Sequence, residues 1–129
     1  MTQGSQLSIH NNTRGKAPSL PFVFMKEAVL GKQYELSLVF IGDTLSRRLN
    51  RERRGKDRAT NILSFELSKT SGEIFIDLAI AKQQCKRFDR SYSNFVAFLF
   101  VHGLFHLKGM DHGSTMEKAE EKIRGKFGI

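Results

Sequence analysis

The stretch NILSFELSKTSGEIFID, residues 61–77, sets the fold class. Its two ends, NILSFEL over 61–67 and EIFID over 73–77, are β-type runs, and the turn-rich SKTSG between them makes a hairpin-like pair. Upstream, YELSLVFI over 34–41 alternates apolar and polar residues and reads as a central strand, while Leu7 and Ile9 mark a short first strand. SLPFVFMKEAVL over 19–30, with Ser19 as a cap, a proline near the first turn and Gly31 just beyond, reads as a helix. Asp43 is placed to cap a helix over 44–53, where Leu45 and Leu49 stand at i and i+4, and Gly55 ends it.

Downstream of 77 the pattern is helical. Asp77 caps a helix over 78–88, and Asp89 or Ser91 opens a longer one that ends near Lys108, before Gly109. Ser114 and Glu117 match the SxxE capping box and start a last helix over 115–126. Strands in the first two thirds and helices after them predict an α+β fold: a small mixed sheet of about four strands covered by about five helices.

A chain of 129 residues with 40% hydrophobic content suits one compact domain over 1–129, and eleven phenylalanines argue against disorder. Cys85 is the single cysteine, so neither an intrachain disulfide nor a CxxC site can form, which fits a reducing cytoplasm. MTQGSQLSIHNN lacks the basic and then apolar run of a secretory signal, and the longest apolar stretch, 95–107, is too short to span a bilayer and holds two histidines. No membrane association is expected.

The formal charge of +8 favours polyanionic partners. RRLNRERRGKDR, residues 47–58, sets seven basic side chains against Glu52 and Asp57, leaving a local excess of +5. A solvated helix face followed by a polar loop would look similar, but so little acid offsets the base that a phosphate-binding patch is the better reading.

HGLFHLKGMDH, residues 102–112, holds three of the four histidines. On a helix His102 and His106 share a face, and Gly109 permits the reversal that brings His112 back to them. Three imidazoles suit zinc at roughly 2.0–2.1 Å and leave a fourth position for water, whose pKa zinc lowers to about 7. A structural zinc would need a fourth protein ligand, and Cys85 is the only thiol. The metzincin peptidases share this spacing as HExxHxxGxxH, but the general-base glutamate position is Gly103 here. His10 stands alone and reads as an ordinary residue, as does Cys85 among its apolar neighbours. The phenylalanines at 95, 98, 100 and 105 read as core.

HGLFHLKGMDH resembles the HGxLHLxGYDH block of the bacterial rRNA-maturation metallo-endoribonucleases of the YbeY type. His102, Gly103, His106, Leu107, Gly109, Asp111 and His112 match, while Phe105 and Met110 depart from the common leucine and tyrosine. RGKDRATNILSF, residues 54–65, is similar to the family's RGKDxxTNVLSF, and GEIFI, residues 72–76, matches a third, weaker block. Glu66 stands where the family has proline, and the connection to GEIFI is shorter than usual, which implies a different cleft rim.

The resemblance implies a zinc-dependent hydrolase that cuts single-stranded RNA in rRNA maturation and ribosome quality control, with the ribosome or its proteins as partners. It implies that His102, His106 and His112 hold the metal and that Arg54 serves the activity. Arg54 is suited to clamp phosphate oxygens through two parallel hydrogen bonds, and Lys56 could add a point charge. Asp111 could accept a ring N–H from a metal-binding histidine, or be a plain turn residue. Two other readings stay open: an RNA- or ribosome-binding assembly factor whose metal only holds the fold, and, more weakly, a metzincin-like peptidase.

Overall fold

The computed structural model describes residues 6–129. Its elements run β1 (Leu7–Asn11), α1 (Phe22–Leu30), β2 (Glu35–Ile41), α2 (Asp43–Arg54), β3 (Ile62–Ser68), β4 (Ser71–Asp77), α3 (Leu78–Gln84), a 3-10 turn (Cys85–Phe88), α4 (Tyr92–Leu107) and α5 (Ser114–Phe127). The expected α+β fold of four strands and five helices is present. The strands form one mixed sheet in the order β1-β2-β4-β3. β1 and β4 flank β2 in parallel, while β3 and β4 form the antiparallel hairpin.

Alternation decides which face each strand side chain serves. Leu36, Leu38, Phe40, Ile74 and Ile76 point to the main core, where they meet α4, whose Phe95, Phe100, Leu104 and Phe105 are buried. The opposite face carries Ile41, Leu63 and Phe75, covered by Leu49 of α2 with Leu45 alongside. Helix α4 therefore lies across the sheet, with α1, α3 and α5 around it, and α2 alone covers the other side.

Several helix starts differ from the sequence reading. Ser19 is not the cap of α1, which begins at Phe22 behind Pro21. Asp43 and Ser114 are the first helical residues of α2 and α5, since Gly42 and Gly113 take the cap positions, and the capping box with Glu117 does not form. A glycine just before a candidate cap can itself adopt the extended entry conformation, so the polar residue moves one place into the helix. The helix expected over 78–88 tightens into a 3-10 turn after Gln84, where Asp89 at φ 54° reverses the chain. Asp77 and Ser91 do cap: their side chains accept from Ile80 N and Asn94 N, each at 3.1 Å. No helix among the described residues is long and apolar enough to cross a membrane.

Candidate metal centre

Helix α4 projects His102 and His106 from successive turns of one face. The helix then closes with paired bonds, Gly109 N–H to His106 O at 3.0 Å and Met110 N–H to Phe105 O at 3.2 Å. Gly109, at φ 91°, makes that reversal possible and returns His112 to the other two. The three rings stand with centroids 4.6–5.1 Å apart.

One ligand atom from each imidazole lies within 4.8 Å of the others, so the three histidines are close enough to bind a metal ion. Tetrahedral zinc needs nitrogens about 3.4 Å apart, a closure of at most about 1.4 Å that exposed His106 and His112 can make by ring rotation. No carboxylate or thiol joins the cluster among the described residues, and Cys85 is buried in the core with its thiol on Lys82 O. Three nitrogens and an open side are the donor set of a catalytic zinc rather than a structural one.

Glu120, on α5, is the residue that sequence reasoning missed. Only 5% exposed, it places both carboxylate oxygens 3.1 Å from His102 Nδ1. A carboxylate can only accept there, so the bond calls for the Nδ1–H tautomer, which leaves Nε2 free to donate to a metal ion. Arg124 Nη1, 3.6 Å away on the next turn, steadies the carboxylate. Asp111, the candidate for this role, is exposed and is not the carboxylate bonded to a ring. Burial, and after it the nearby His102 and His112, hold the His106 imidazole below its ordinary value, so it is neutral and able to ligate at pH 7.

The cleft in front of the histidines has a volume of about 340 Å³ and is also lined by Arg54, Thr60, Asn61, Ile62 and Ser64. Arg54 is the last residue of α2, and the loop that follows is folded back along that helix. Asp57 takes Arg47 at 2.8 and 3.1 Å and lies 3.6 Å from Arg51, Asn50 Nδ2 donates to Arg58 O at 2.9 Å, and Ser46 Oγ donates to Thr60 O at 2.8 Å. Lys56 is exposed and does not line the cleft.

The basic patch is smaller than its charge count. Arg48 is 3.8 Å from Glu52, and Arg53 lies 3.4 Å from Glu73, an acid outside the segment, with its guanidinium over the Phe65 ring. Arg54, Lys56 and Arg58 are left without an acidic partner among the described residues.

Gly103 has a packing role of its own. A Cβ there would lie 2.9 Å from Ile62 Cδ1, 2.9 Å from Ser64 Oγ and 3.0 Å from Ile74 Cδ1. The position that holds the peptidase glutamate faces the sheet at closest approach, so a larger side chain there must displace Ile62, Ser64 and Ile74. Of the four α4 phenylalanines, 95, 100 and 105 are buried, while Phe98 is half-buried beneath the guanidiniums of Arg90 and Arg124. His10 is exposed on β1, apart from the cluster.

Comparison with known proteins agrees with these features. The family described as endoribonuclease YbeY matches residues 5–127. The chain belongs to that family. Among its relatives, the endoribonuclease YbeY of Alkaliphilus metalliredigens is 37% identical over 74% of this chain and 72% of its own. That of Desulforamulus reducens is 31% identical over 96% and 92%. The solution structure of a Thermotoga maritima protein has the same fold, with a TM-score of 0.63 and 21% identity over 93% of this chain and 90% of that one. Within the YbeY family frame, the three histidines and Arg54 fall on one cleft.

Proposed function

We propose that this chain is a zinc-dependent endoribonuclease, acting as one domain over 1–129 on single-stranded RNA in rRNA maturation and ribosome quality control. The observation that carries the reading is the cleft itself: three converging imidazoles open on one side, faced by an arginine with no acidic partner among the described residues. Bound to His102, His106 and His112, zinc supplies Lewis-acid polarisation and a water of lowered pKa.

The side chains do the rest. Glu120 fixes the ring and tautomer of His102. Arg54, lining the cleft, holds two phosphoryl oxygens and stabilises the charge that builds on them. Lys56 and Arg58 extend the positive surface beyond the cleft and hold neighbouring phosphates of the strand. The ribosome or its proteins would be the partners, and the cytoplasm the compartment.

No fourth donor joins the cluster among the described residues, which weighs against a metal that only holds the fold. The close packing at Gly103 weighs against a peptidase. Replacing His106 by alanine separates the readings: the enzyme keeps its folded state and loses RNA cleavage, whereas a structural metal site would unfold.

A further inference from the structure

Three imidazoles and a guanidinium answer a metal and a phosphate, but the β3 wall of the cleft answers neither. There Ile62 and Ser64 share one face of β3, and Thr60, two residues before the strand, lines the cleft with them. Thr60 has its backbone committed, with N–H donating to Ser46 Oγ at 2.9 Å and the carbonyl accepting from it at 2.8 Å. Its hydroxyl, and that of half-buried Ser64, make no hydrogen bond within the described protein.

Ser64 is also held close to the reacting centre. Its Oγ is 2.9 Å from where a Cβ on Gly103 would stand, and Gly103 directly follows His102. Helix α4 can come that near only because residue 103 is glycine. An uncommitted hydroxyl therefore lies on the wall of the cleft that the histidines line, and Thr60 lines the same cleft.

We propose that Ser64, supported by Thr60, reads the ribose 2′-hydroxyl of the nucleotide seated at the histidine cluster and so sets the preference for RNA over DNA. The proposal rests on the endoribonuclease reading and deepens it. A phosphate calls for cations, which this wall lacks, whereas a neutral hydroxyl that both donates and accepts matches another of its kind. Of the neutral groups on the substrate, the sugar hydroxyls are bonded closest to the reacting phosphate, while the bases extend away from it. The 2′-hydroxyl is also the group by which a site tells RNA from DNA.

The test measures the affinity of the metal-free protein for a single-stranded RNA and for the DNA of the same sequence, in wild type, Ser64→Ala and Thr60→Val. Metal-free protein leaves the RNA uncut, so equilibrium constants can be read. Wild type is expected to favour RNA, Ser64→Ala to weaken RNA binding roughly three- to tenfold with DNA binding unchanged, and Thr60→Val to act the same way less strongly. No RNA preference in wild type, or RNA and DNA affinities falling together in Ser64→Ala, would overturn the assignment. Thermal melting of each variant shows that the fold is kept. Failure of the endoribonuclease reading shows itself separately, as zinc-loaded wild type that leaves RNA intact.

Discussion

Replacing Glu120 tests whether the carboxylate on α5 builds the metal centre. Both its oxygens are 3.1 Å from His102 Nδ1, and at 5% exposure there is little room for water to take over as acceptor. Removing a carboxylate that orients a metal-binding histidine lowers metal affinity roughly 10–100-fold, which is about 1.4–2.7 kcal/mol. Glu120→Ala belongs at the upper end. It frees the His102 ring to turn, and it leaves the Arg124 guanidinium, whose side chain is 15% exposed, facing the site without its counter-charge. Glu120→Gln keeps an acceptor of the same shape but no charge, so its loss is expected near tenfold. Competition for zinc against a chromophoric chelator at neutral pH measures both variants. Wild-type affinity in Glu120→Ala would refute the claim that this carboxylate positions His102.

Arg54→Ala is expected to slow RNA cleavage roughly a hundredfold or more while the protein still binds one zinc, as turnover and metal analysis would show; an unchanged rate removes Arg54 from the reaction. Gly103→Ala sets about 1 kcal/mol of helix propensity against roughly 1–3 kcal/mol of overpacking at Ile62, Ser64 and Ile74, so a net loss of about 1 kcal/mol is expected in urea unfolding. A stabilised variant would contradict the close approach of α4 to the sheet. Asp77 is pushed up to about 7, by burial first and then by neighbouring Asp43, so the folded state holds a proton that the unfolded chain releases near pH 4. Its contribution is therefore full below about pH 4, falls with rising pH by up to about 1.4 kcal/mol per unit, and levels off above about pH 7. Subtracting the stability of metal-free Asp77→Asn across that range should isolate the slope, and parallel curves would rule it out.

The parts legible in the sequence were those with short-range signals. Alternation in 34–41 and 61–77 gave the strands, and the 102–112 spacing gave the histidine cluster, because helix period and one glycine suffice to bring three rings together. What depends on distant contacts was not legible. Glu120 lies 18 residues from His102, and its role exists only because Met116 and its neighbours dock α5 on the core in one register. Counting charges in 47–58 overstated the patch because Glu73, a strand away, neutralises Arg53. The caps at Asp43 and Ser114 slipped because local preference cannot tell a cap from a first helical residue when glycine precedes it. Gly103 showed in the sequence as a missing catalytic carboxylate; only the packing shows that the position also lets α4 approach Ile62, Ser64 and Ile74 closely.

The most direct test of the three-histidine centre is to strip the protein of metal, return zinc in measured steps, and follow cleavage of a single-stranded RNA. Activity should be absent at the start, rise in proportion to zinc, and break at one zinc per chain. Cleavage that persists in the stripped protein, or a full complement of zinc that restores none, would contradict a hydrolytic centre at His102, His106 and His112.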